Sequence, residues 1–441
     1  MNRKLSTLLS LALLALSIGN SQIVNSQIAY TLQQCIDTAL VNNLSVRKQG
    51  NALASQRLAY KQSKADISPS LSGNVGQSWG FGRSTGADNI SRIQNSSQTS
   101  FNVSANLVLF DGLAMKFNID EAAANMQAGE ANLEAIQLQI KMNVSTMFLQ
   151  VLLAKQLVAV AENQLQDTEA KLQRDSALVA AHRLAEGELL TLQAQYAKEQ
   201  LTLIQQQNEL RLALLDLAQA IDLQDVAHFD IAVEDDGMPA ELFASSDEVY
   251  QAAIAYRPEI KALEYAIAAN EAALKSAKAA YSPTISAGAS VGSGYYNMQG
   301  ADNLPFAEQM SENFTASVGL NLYVPLYDKL QTTTRMRQQR LAVDNARLDL
   351  EQKKQDLRKE IDQAYYNALS AQKEEISAAQ SERSAEEALR YAEQKYEAGR
   401  ASSYEYREAK NTFLQAQSAR LQAHYNLLFR IKILQYYQGT I

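Results

Sequence analysis

Residues 101–110 read FNVSANLVLF and alternate apolar with polar side chains, as a β-strand with one apolar face does. Successive side chains of a strand point to opposite faces, so Asn102, Ser104 and Asn106 share one face and the odd-numbered apolar residues share the other. A strand of about ten residues with this pattern is typical of membrane-spanning β-barrels, but a half-buried strand of a soluble sheet has the same pattern. The stretch therefore predicts a strand and leaves its surroundings open.

The composition and the N-terminal segment indicate a polar chain that is exported. With 441 residues and a mean hydropathy of −0.25, the sequence is long enough for two domains and too polar for a helical membrane protein. Residues 1–27 are predicted to be a signal peptide, because Arg3 and Lys4 precede an apolar run from Leu5 to Ile18 that is too short to span a bilayer. We therefore expect the remaining chain to leave the cytoplasm.

The residues that carry chemistry argue against several classes of function. Cys35 is the only cysteine and is expected to be a packed helix residue, and a net charge of −8 argues against nucleic acid as a partner. His182, His228 and His424 lie in unrelated segments, and the sequence contains no phosphate-binding glycine loop and no metal-ligand spacing. We predict that the protein is not an enzyme and uses no cofactor or metal.

The sequence is an internal duplication. At an offset of 214 residues, Ala39 matches Ala253, and Ser68-Pro69 matches Ser282-Pro283 at the end of a helical pattern. The predicted domains after the signal peptide are a first repeat over 28–221, an irregular connector over 222–246 and a second repeat over 247–441.

The duplication extends through the predicted strands. Each half contains one β-hairpin, at about 69–110 and about 283–326, whose two strands are joined by a connection rich in glycine, serine and asparagine. The last of these strands presents Thr315, Ser317 and Asn321 on its polar face. One chain is therefore predicted to supply four strands.

A long helix is predicted after each hairpin. Proline is absent and glycine is almost absent from Leu113 to about Val179 and from Leu330 to about Glu397, so each stretch predicts a helix of roughly 100 Å. Asp111 and Asp328 precede these helices and are expected to cap them. In the first helix an apolar residue recurs every seven positions from Val144 onward, which predicts a coiled-coil seam.

Each long helix is predicted to break once and to be followed by a shorter helix. Ala181 in the first break matches Gly399 in the second at an offset of 218. The shorter helices are expected from about Glu186 to Ala220 and from about Ser403 to Tyr437.

The four strands cannot form a membrane barrel alone. An unpaired sheet edge leaves backbone groups without partners in hydrocarbon. Bacterial barrels have even strand numbers from about eight upward, so two, three or four chains would close eight, twelve or sixteen strands. The predicted fold class is mainly α with a β-barrel portion, in which copies of the chain complete the barrel and the long helices continue it as a cylinder.

The order helix, hairpin, long helix and half-length helix, present twice, resembles the TolC family of outer-membrane efflux proteins over the whole mature chain. The matching motifs are LQQCIDTAL at 32–40, Asn42-Asn43, RPEI at 257–260, Ser-Pro before each first strand, LFDG at 109–112, PLYD at 325–328 and YEAG at 396–399. The resemblance implies a homotrimer, with a 12-stranded barrel in the outer-membrane lipid and a 12-helix tunnel that extends into the periplasm.

The resemblance also implies a function and partners. It implies a passive conduit that exports small molecules or proteins from a tripartite efflux or type I secretion complex. The implied partners are a periplasmic adaptor (membrane fusion) protein and an inner-membrane pump. Asn102, Ser104, Asn106, Thr315, Ser317 and Asn321 are then expected to line the barrel lumen.

The second helix break carries the predicted periplasmic gate. Glu405 and Glu408 are three residues apart and share a helix face, so a trimer would stack two rings of three carboxylates that favour cations. They occupy the positions of the family's acidic gate. Ser402 three residues before Glu405 also forms a capping-box pattern, and a cap and a ring member are compatible roles.

Polar links between neighbouring helices would hold such a gate shut. In the resemblance, Tyr396 matches the linking tyrosine, whereas the arginine position is Ala401 and the first-half acid position is Gly187. The charged residues beside these positions are the candidates to replace them: Arg400, Arg183, Glu186 and Glu188. A solvated helix end is the alternative interpretation of these four charges.

A second class of function stays open on the sequence. The chain could be a secreted or periplasmic coiled-coil structural or adhesion protein without a pore. That alternative predicts a soluble monomer or dimer, whereas a conduit predicts a trimer in the outer membrane.

Overall fold

The computed structural model describes residues 28–85, 90–93, 95–223, 226, 228–232 and 245–439. The predicted signal peptide and most of the predicted connector lie outside them. The described chain is mainly helical with a smaller β portion, as the sequence predicts. In chain order its elements are β1 Ile28–Tyr30, α1 Leu32–Asn42, α2 Leu44–Ala65, β2 Ser70–Gly80, β3 Arg83–Thr85, β4 Ser91–Ile93, β5 Ser96–Phe110, α3 Ala114–Ala180, α4 Glu186–Ala220, β6 Phe229–Ile231, α5 Ser246–Tyr256, α6 Pro258–Ala279, β7 Thr284–Met298, α7 Phe306–Glu312, β8 Thr315–Tyr323, α8 Gln331–Glu397 and α9 Ser403–Gln438.

The chain divides into two compact units, each of which contains segments of both sequence halves. Of the described residues, the helical unit contains those that fall within Met1–Asn43, Ile140–Leu242 and Asn367–Lys432. The sheet unit contains the described residues of Leu44–Gln139, Phe243–Tyr366 and Ile433–Ile441.

The sheet unit is built on four antiparallel strands in the order β2-β5-β7-β8. The pairs β2–β5 and β7–β8 are the two predicted hairpins, and the pairing of β5 with β7 joins the two halves of the sequence. Among the described residues, β2 and β8 each have a neighbour on one side only, so each leaves a row of backbone groups open.

The register sorts the sheet into alternating polar and apolar rows. One row pairs Ser72, Ser104, Ser290 and Ser317 across all four strands, and hydroxyl contacts of 3.0 and 2.8 Å join its outer pairs. The next row is apolar and consists of Leu71, Ala105, Ala289 and Val318.

The two faces of the sheet follow from this register. The six predicted lumen residues all lie on the face of the serine row: Asn102, Ser104, Asn106, Thr315, Ser317 and Asn321. The opposite face leaves large apolar side chains uncovered in the single chain, with Leu71 76% and Val318 86% exposed.

The strand boundaries differ from the prediction because the connections are more ordered than their composition indicates. β5 begins at Ser96, and β7 extends to Met298. β8 ends at Tyr323, before Pro325, whose missing N–H cannot continue the ladder. The first connection contains the short pair β3–β4, and the second contains α7.

The connector, which was expected to be irregular, contains a strand. β6 pairs in parallel with β1, with Ala29 opposite Asp230. Lys155 holds this pair to α3 by donating to the backbone carbonyl of Ile231 at 2.8 Å and pairing with the carboxylate of Asp230 at 2.5 Å. The sequence missed the pair because three-residue strands give no periodic signal.

The two turns from strand into long helix have the same construction. Asp111 Oδ2 accepts the N–H of Met115 at 2.8 Å, and Asp328 Oδ2 accepts the N–H of Thr332 at 2.7 Å, so both predicted caps are confirmed. The two residues after each aspartate have positive φ: Gly112 (71°) and Leu113 (72°), Lys329 (55°) and Leu330 (66°). The two long helices then run for 67 residues each.

The core of the helical unit follows the predicted heptad. Val144, Val151 and Val158 of α3 are buried, and the later heptad positions are half-buried. Cys35 packs in the same core with no exposed surface, which confirms its structural role. Burial raises the pKa of its thiol to about 12, so the thiol stays protonated at neutral pH.

By length and composition alone, α3 also contains a stretch apolar enough to cross a membrane, with a mean hydropathy of 1.6 over 18 residues. Helices that line a protein core meet the same criterion, and 44% of this stretch is buried. The core residues that α3 supplies, such as Phe148 and Leu152, give this hydropathy an ordinary packing explanation.

Candidate functional site at the helix breaks

Both long helices end in a Schellman motif, and these two ends position the candidate gate. At the first break His182 has φ of 54°, and the N–H groups of His182 and Arg183 donate to the carbonyls of Val179 and Leu178 at 2.9 and 2.8 Å. This arrangement satisfies two carbonyls that a helix end would otherwise leave without partners.

The second break repeats that geometry with glycine in the left-handed position. Gly399 has φ of 65°, and the N–H groups of Gly399 and Arg400 donate to the carbonyls of Tyr396 and Lys395 at 2.9 and 2.7 Å. His182, and not Ala181, is therefore the structural counterpart of Gly399. The predicted offset of 218 is wrong here and becomes 217, the offset that also relates the starts and ends of α3 and α8.

The predicted gate acids lie in the first two turns of helix α9. The N–H of Glu405 donates to Ser402 Oγ at 3.3 Å, so the predicted cap is present. Glu405 and Glu408 are both exposed, one helical turn apart. Their side chains are therefore free to lie next to the same residues of other copies of the chain. Their place in a ring of carboxylates stays a prediction.

Glu188 is the candidate link that takes part in a contact across the two breaks. Its Oε2 accepts a hydrogen bond from Ser403 Oγ at 2.5 Å and lies 3.4 Å from Arg407 Nη1. These contacts tie the start of α4 to the start of α9, where the helix N-termini also favour a carboxylate.

Tyr396 is placed against a second tyrosine. Its ring stacks on that of Tyr406, with centroids 5.5 Å apart and an interplanar angle of 20°. Lys171 Nζ lies 4.6 Å from the centroid of the Tyr406 ring and donates to its hydroxyl. The stack therefore joins the end of α8 to α9 and, through Lys171, to α3.

Arg183, Glu186 and Arg400 are all exposed. Within the part of the chain that the structure describes, none of the three forms an ion pair. The single chain thus brings together Tyr396 and Glu188 but leaves these three charges facing outward.

The linked residues surround a cleft of about 400 Å³. Its lining combines both charge signs with aromatic rings: Lys171, Arg174, Asp175, Glu188, Leu192, Glu393, Tyr396, Glu397, Ser403, Tyr406 and Arg407. Burial and the nearby Asp175 raise the pKa of Tyr396, and burial and Glu393 raise the pKa of Tyr406. Both hydroxyls therefore stay protonated and can donate hydrogen bonds at neutral pH.

Sequence reasoning missed Lys171, Ser403, Tyr406 and Arg407. A signal for two of them was available, because Ser403 and Arg407 are four residues apart and therefore share one helix face. Lys171 could not be found this way, since it reaches the site only through the packing of α3 against α9.

Similarity to known proteins in sequence and in fold shows the class to which the chain belongs. The model of the outer membrane efflux protein family matches residues 35–222 and again 249–435. The chain belongs to the outer membrane efflux protein family. The cation efflux system protein CusC of Escherichia coli is 26% identical over 303 residues, which are 66% of this chain and 59% of that protein. The chain thus spans less than two thirds of that relative's length.

Further relatives agree in class and fold. The outer membrane efflux protein BepC of Brucella suis is 24% identical over 350 residues, which are 78% of this chain and 74% of that protein. The solved CmeC outer membrane channel of Campylobacter jejuni has a TM-score of 0.76 at 16% identity, covering 95% of this chain and 89% of that one.

Membership confirms the predicted family, the efflux class and the location in the outer membrane. None of these proteins supports the alternative of a secreted coiled-coil protein without a pore.

Proposed function

We propose that three copies of the chain form a passive conduit that carries small molecules or proteins out of the cell. The observation that carries the proposal is the sheet, which has one continuous polar face, one exposed apolar face and two open edges. In a bilayer the apolar face would contact lipid, the polar face would enclose water, and the open edges require further strands.

Closure by three chains gives a 12-stranded barrel, in which β8 of one copy pairs with β2 of the next. Each chain then supplies four columns of a 12-helix tunnel. Two columns are the long helices α3 and α8. In the other two, the shorter helices α4 and α9 are each counted together with one of the helix pairs α1–α2 and α5–α6. No energy source is built into such a conduit, so we propose that it works with a periplasmic adaptor protein and an inner-membrane pump.

We further propose that the two helix breaks form the gate at the periplasmic end of this conduit. Glu405 and Glu408 would make two rings of three carboxylates, and the Glu188–Arg407 pair and the Tyr396–Tyr406 stack would hold the neighbouring helices together. Arg183, Glu186 and Arg400 face outward and are available to reach the next copy.

The proposal is tested by recording single channels of the purified protein in planar bilayers of zwitterionic lipid. We expect small channels that prefer cations, and loss of that preference in the double variant Glu405→Gln/Glu408→Gln. The matched control is Glu209→Gln/Asp216→Asn, which removes two exposed acids of α4 away from the breaks.

Each part of the proposal can fail separately. A wild-type protein that inserts into the membrane but never conducts would contradict the proposal that the chain forms a conduit. Channels whose selectivity is unchanged in the gate variant, or lost equally in the control, would remove the assignment of Glu405 and Glu408.

A further inference from the structure

Four helix–strand junctions of the sheet unit lie at one end of the sheet, where the strands meet the helices. The register pairs Ser70 with Asn106, Phe110 with Ile285 and Thr284 with Tyr323. That end of the sheet is therefore adjoined by four helix termini: the end of α2, the start of α3, the end of α6 and the start of α8.

The helices at this end of the sheet carry nine exposed cationic side chains next to it, here called the basic collar. They are Lys61, Lys64, Lys116, Lys275, Lys278, Lys329, Arg335, Arg337 and Arg340. In the described part of the chain none of the nine forms an ion pair within 4.0 Å, although Arg335 is near enough to Glu121 of α3 to oppose the rise in that group's pKa on burial. The collar thus has most of its charge available.

The collar stands out against the charge of the rest of the chain. The four segments that hold it, 61–69, 111–121, 275–283 and 327–340, contain nine cations and five acids, a surplus of four positive charges in a chain of net −8. Two of the five acids, Asp111 and Asp328, are engaged in capping helices. The connections at the opposite end of the sheet, 81–95 and 299–314, contain two cations and four acids.

The duplication placed part of the collar twice. Lys61 matches Lys275 and Lys64 matches Lys278 at the offset of 214. All four side chains are exposed and lie six or nine residues before their strands, which is within about 14 Å along a helix. Long lysine side chains can shorten that distance further by extending toward the ends of the strands.

Exposed apolar and aromatic side chains separate the collar from the strands. Ile67 is 50% exposed, Tyr281 53% and Tyr327 80%. The segments 70–80, 96–110, 284–298 and 315–326 contain no charged residue at all. An uncharged band, then tyrosine, then lysine and arginine is the order in which side chains meet the hydrocarbon, the interface and the headgroups of a bilayer.

We propose that the basic collar binds the phosphate groups of anionic phospholipids in the membrane leaflet that adjoins the helices. The inference rests on the proposed function, because it requires the sheet to cross a membrane. The lysine and arginine side chains would bind by charge-assisted hydrogen bonds to phosphate, and each cation near an anionic surface favours the anionic lipid about fivefold.

The test compares lipids that remain bound to the purified full-length protein. Wild-type protein in nanodiscs of equal phosphatidylglycerol and phosphatidylcholine is released into native mass spectrometry, and the two bound lipids are counted. The variant is Lys61→Gln/Lys64→Gln/Lys275→Gln/Lys278→Gln. The control is Arg47→Gln/Lys48→Gln/Lys261→Gln/Lys359→Gln, which removes four exposed cations of the same unit that lie more than twenty residues along the chain from the four strands of the sheet, β2, β5, β7 and β8.

We expect wild type and control to retain phosphatidylglycerol in preference to phosphatidylcholine, and the collar variant to lose that preference at least fivefold. A Lys→Arg version of the same four positions should keep it, which separates charge from folding. Equal retention of the two lipids by wild type, or equal loss in variant and control, would overturn the proposal. Channel recordings of the same samples keep the conduit distinguishable, because an inserted, conducting protein without lipid preference contradicts the collar alone.

Discussion

At the residue scale, Gly112 shows why a turn that looks repeated is not interchangeable. It has φ of 71°, and its counterpart Lys329 also has a positive φ, of 55°, so a side chain is tolerated in that backbone conformation. At Gly112, however, an added Cβ would lie 2.5 Å from Ser282 Cβ and 2.7 Å from the carbonyl oxygen of Ala279. The glycine is required by the neighbouring α6–β7 turn as well as by its own backbone.

We expect Gly112→Ala to destabilise the protein by about 2 to 4 kcal/mol, since it adds a left-handed strain to a clash with backbone. The measurement is the midpoint of urea unfolding in detergent, followed by circular dichroism. Gly50→Ala is the control, because Gly50 lies inside α2 with nothing within 4 Å of its missing Cβ. That control should gain about 1 kcal/mol of helix stability, and an equal loss in both variants would contradict the contact argument.

The same turn marks what a sequence can reveal about single residues. Asp111 and Asp328 were predicted as caps because a cap acts on its own helix within four residues. The contact of Gly112 with Ser282 joins the two sequence halves, so no local pattern contains it. The same limit applies to Arg407, which meets Glu188 only after both helices have packed.

At the element scale, the two helix breaks predict an asymmetric response to substitution. His182 occupies the left-handed position that Gly399 occupies in the other half, and a non-glycine residue costs about 1 kcal/mol there. We expect His182→Gly to raise the free energy of unfolding by about that amount and Gly399→Ala to lower it by a similar amount. Thermal unfolding of both variants checks the pair, and a loss of stability in His182→Gly would show that the imidazole makes a contact that outweighs the strain.

Long elements were predicted closely and short ones were missed. The absence of proline over about seventy residues and the aspartate caps were sufficient to predict α3 and α8 within a residue or two. β1, β6 and α7 escaped notice because three to seven residues hold too little of a period, and because their partners lie elsewhere in the chain. The division of the chain into two repeats and a connector stays a prediction.

At the scale of the whole molecule, the two faces of the sheet predict opposite fates for adjacent residues. Val318 lies on the exposed apolar face and Ser317 on the polar face. A lysine facing lipid near the middle of a bilayer costs about 2 to 4 kcal/mol, whereas a lysine facing water costs little. We therefore expect Val318→Lys to reduce the amount of trimer in washed outer membranes, and Ser317→Lys to leave the amount unchanged while it weakens cation preference.

Fractionation followed by native mass measurement decides between these outcomes. Equal recovery of both variants would mean that neither face contacts lipid. A monomer or dimer in the wild type would contradict closure by three chains, which the sequence reached by way of a family resemblance and not from strand counting, since eight or sixteen strands satisfied that count equally.

The pairing of β5 with β7 in the middle of the sheet bears on how such an assembly could have arisen. A chain with a single repeat would present one hairpin with two open edges, and six copies would have to meet at once to enclose twelve strands. Fusing two repeats makes half of the hairpin-to-hairpin junctions intramolecular, so three bodies meet where six would have been needed and far less translational and rotational entropy is lost. The two copies are also free to differ, and one helix break now has Gly399 and a pair of exposed carboxylates where the other has His182.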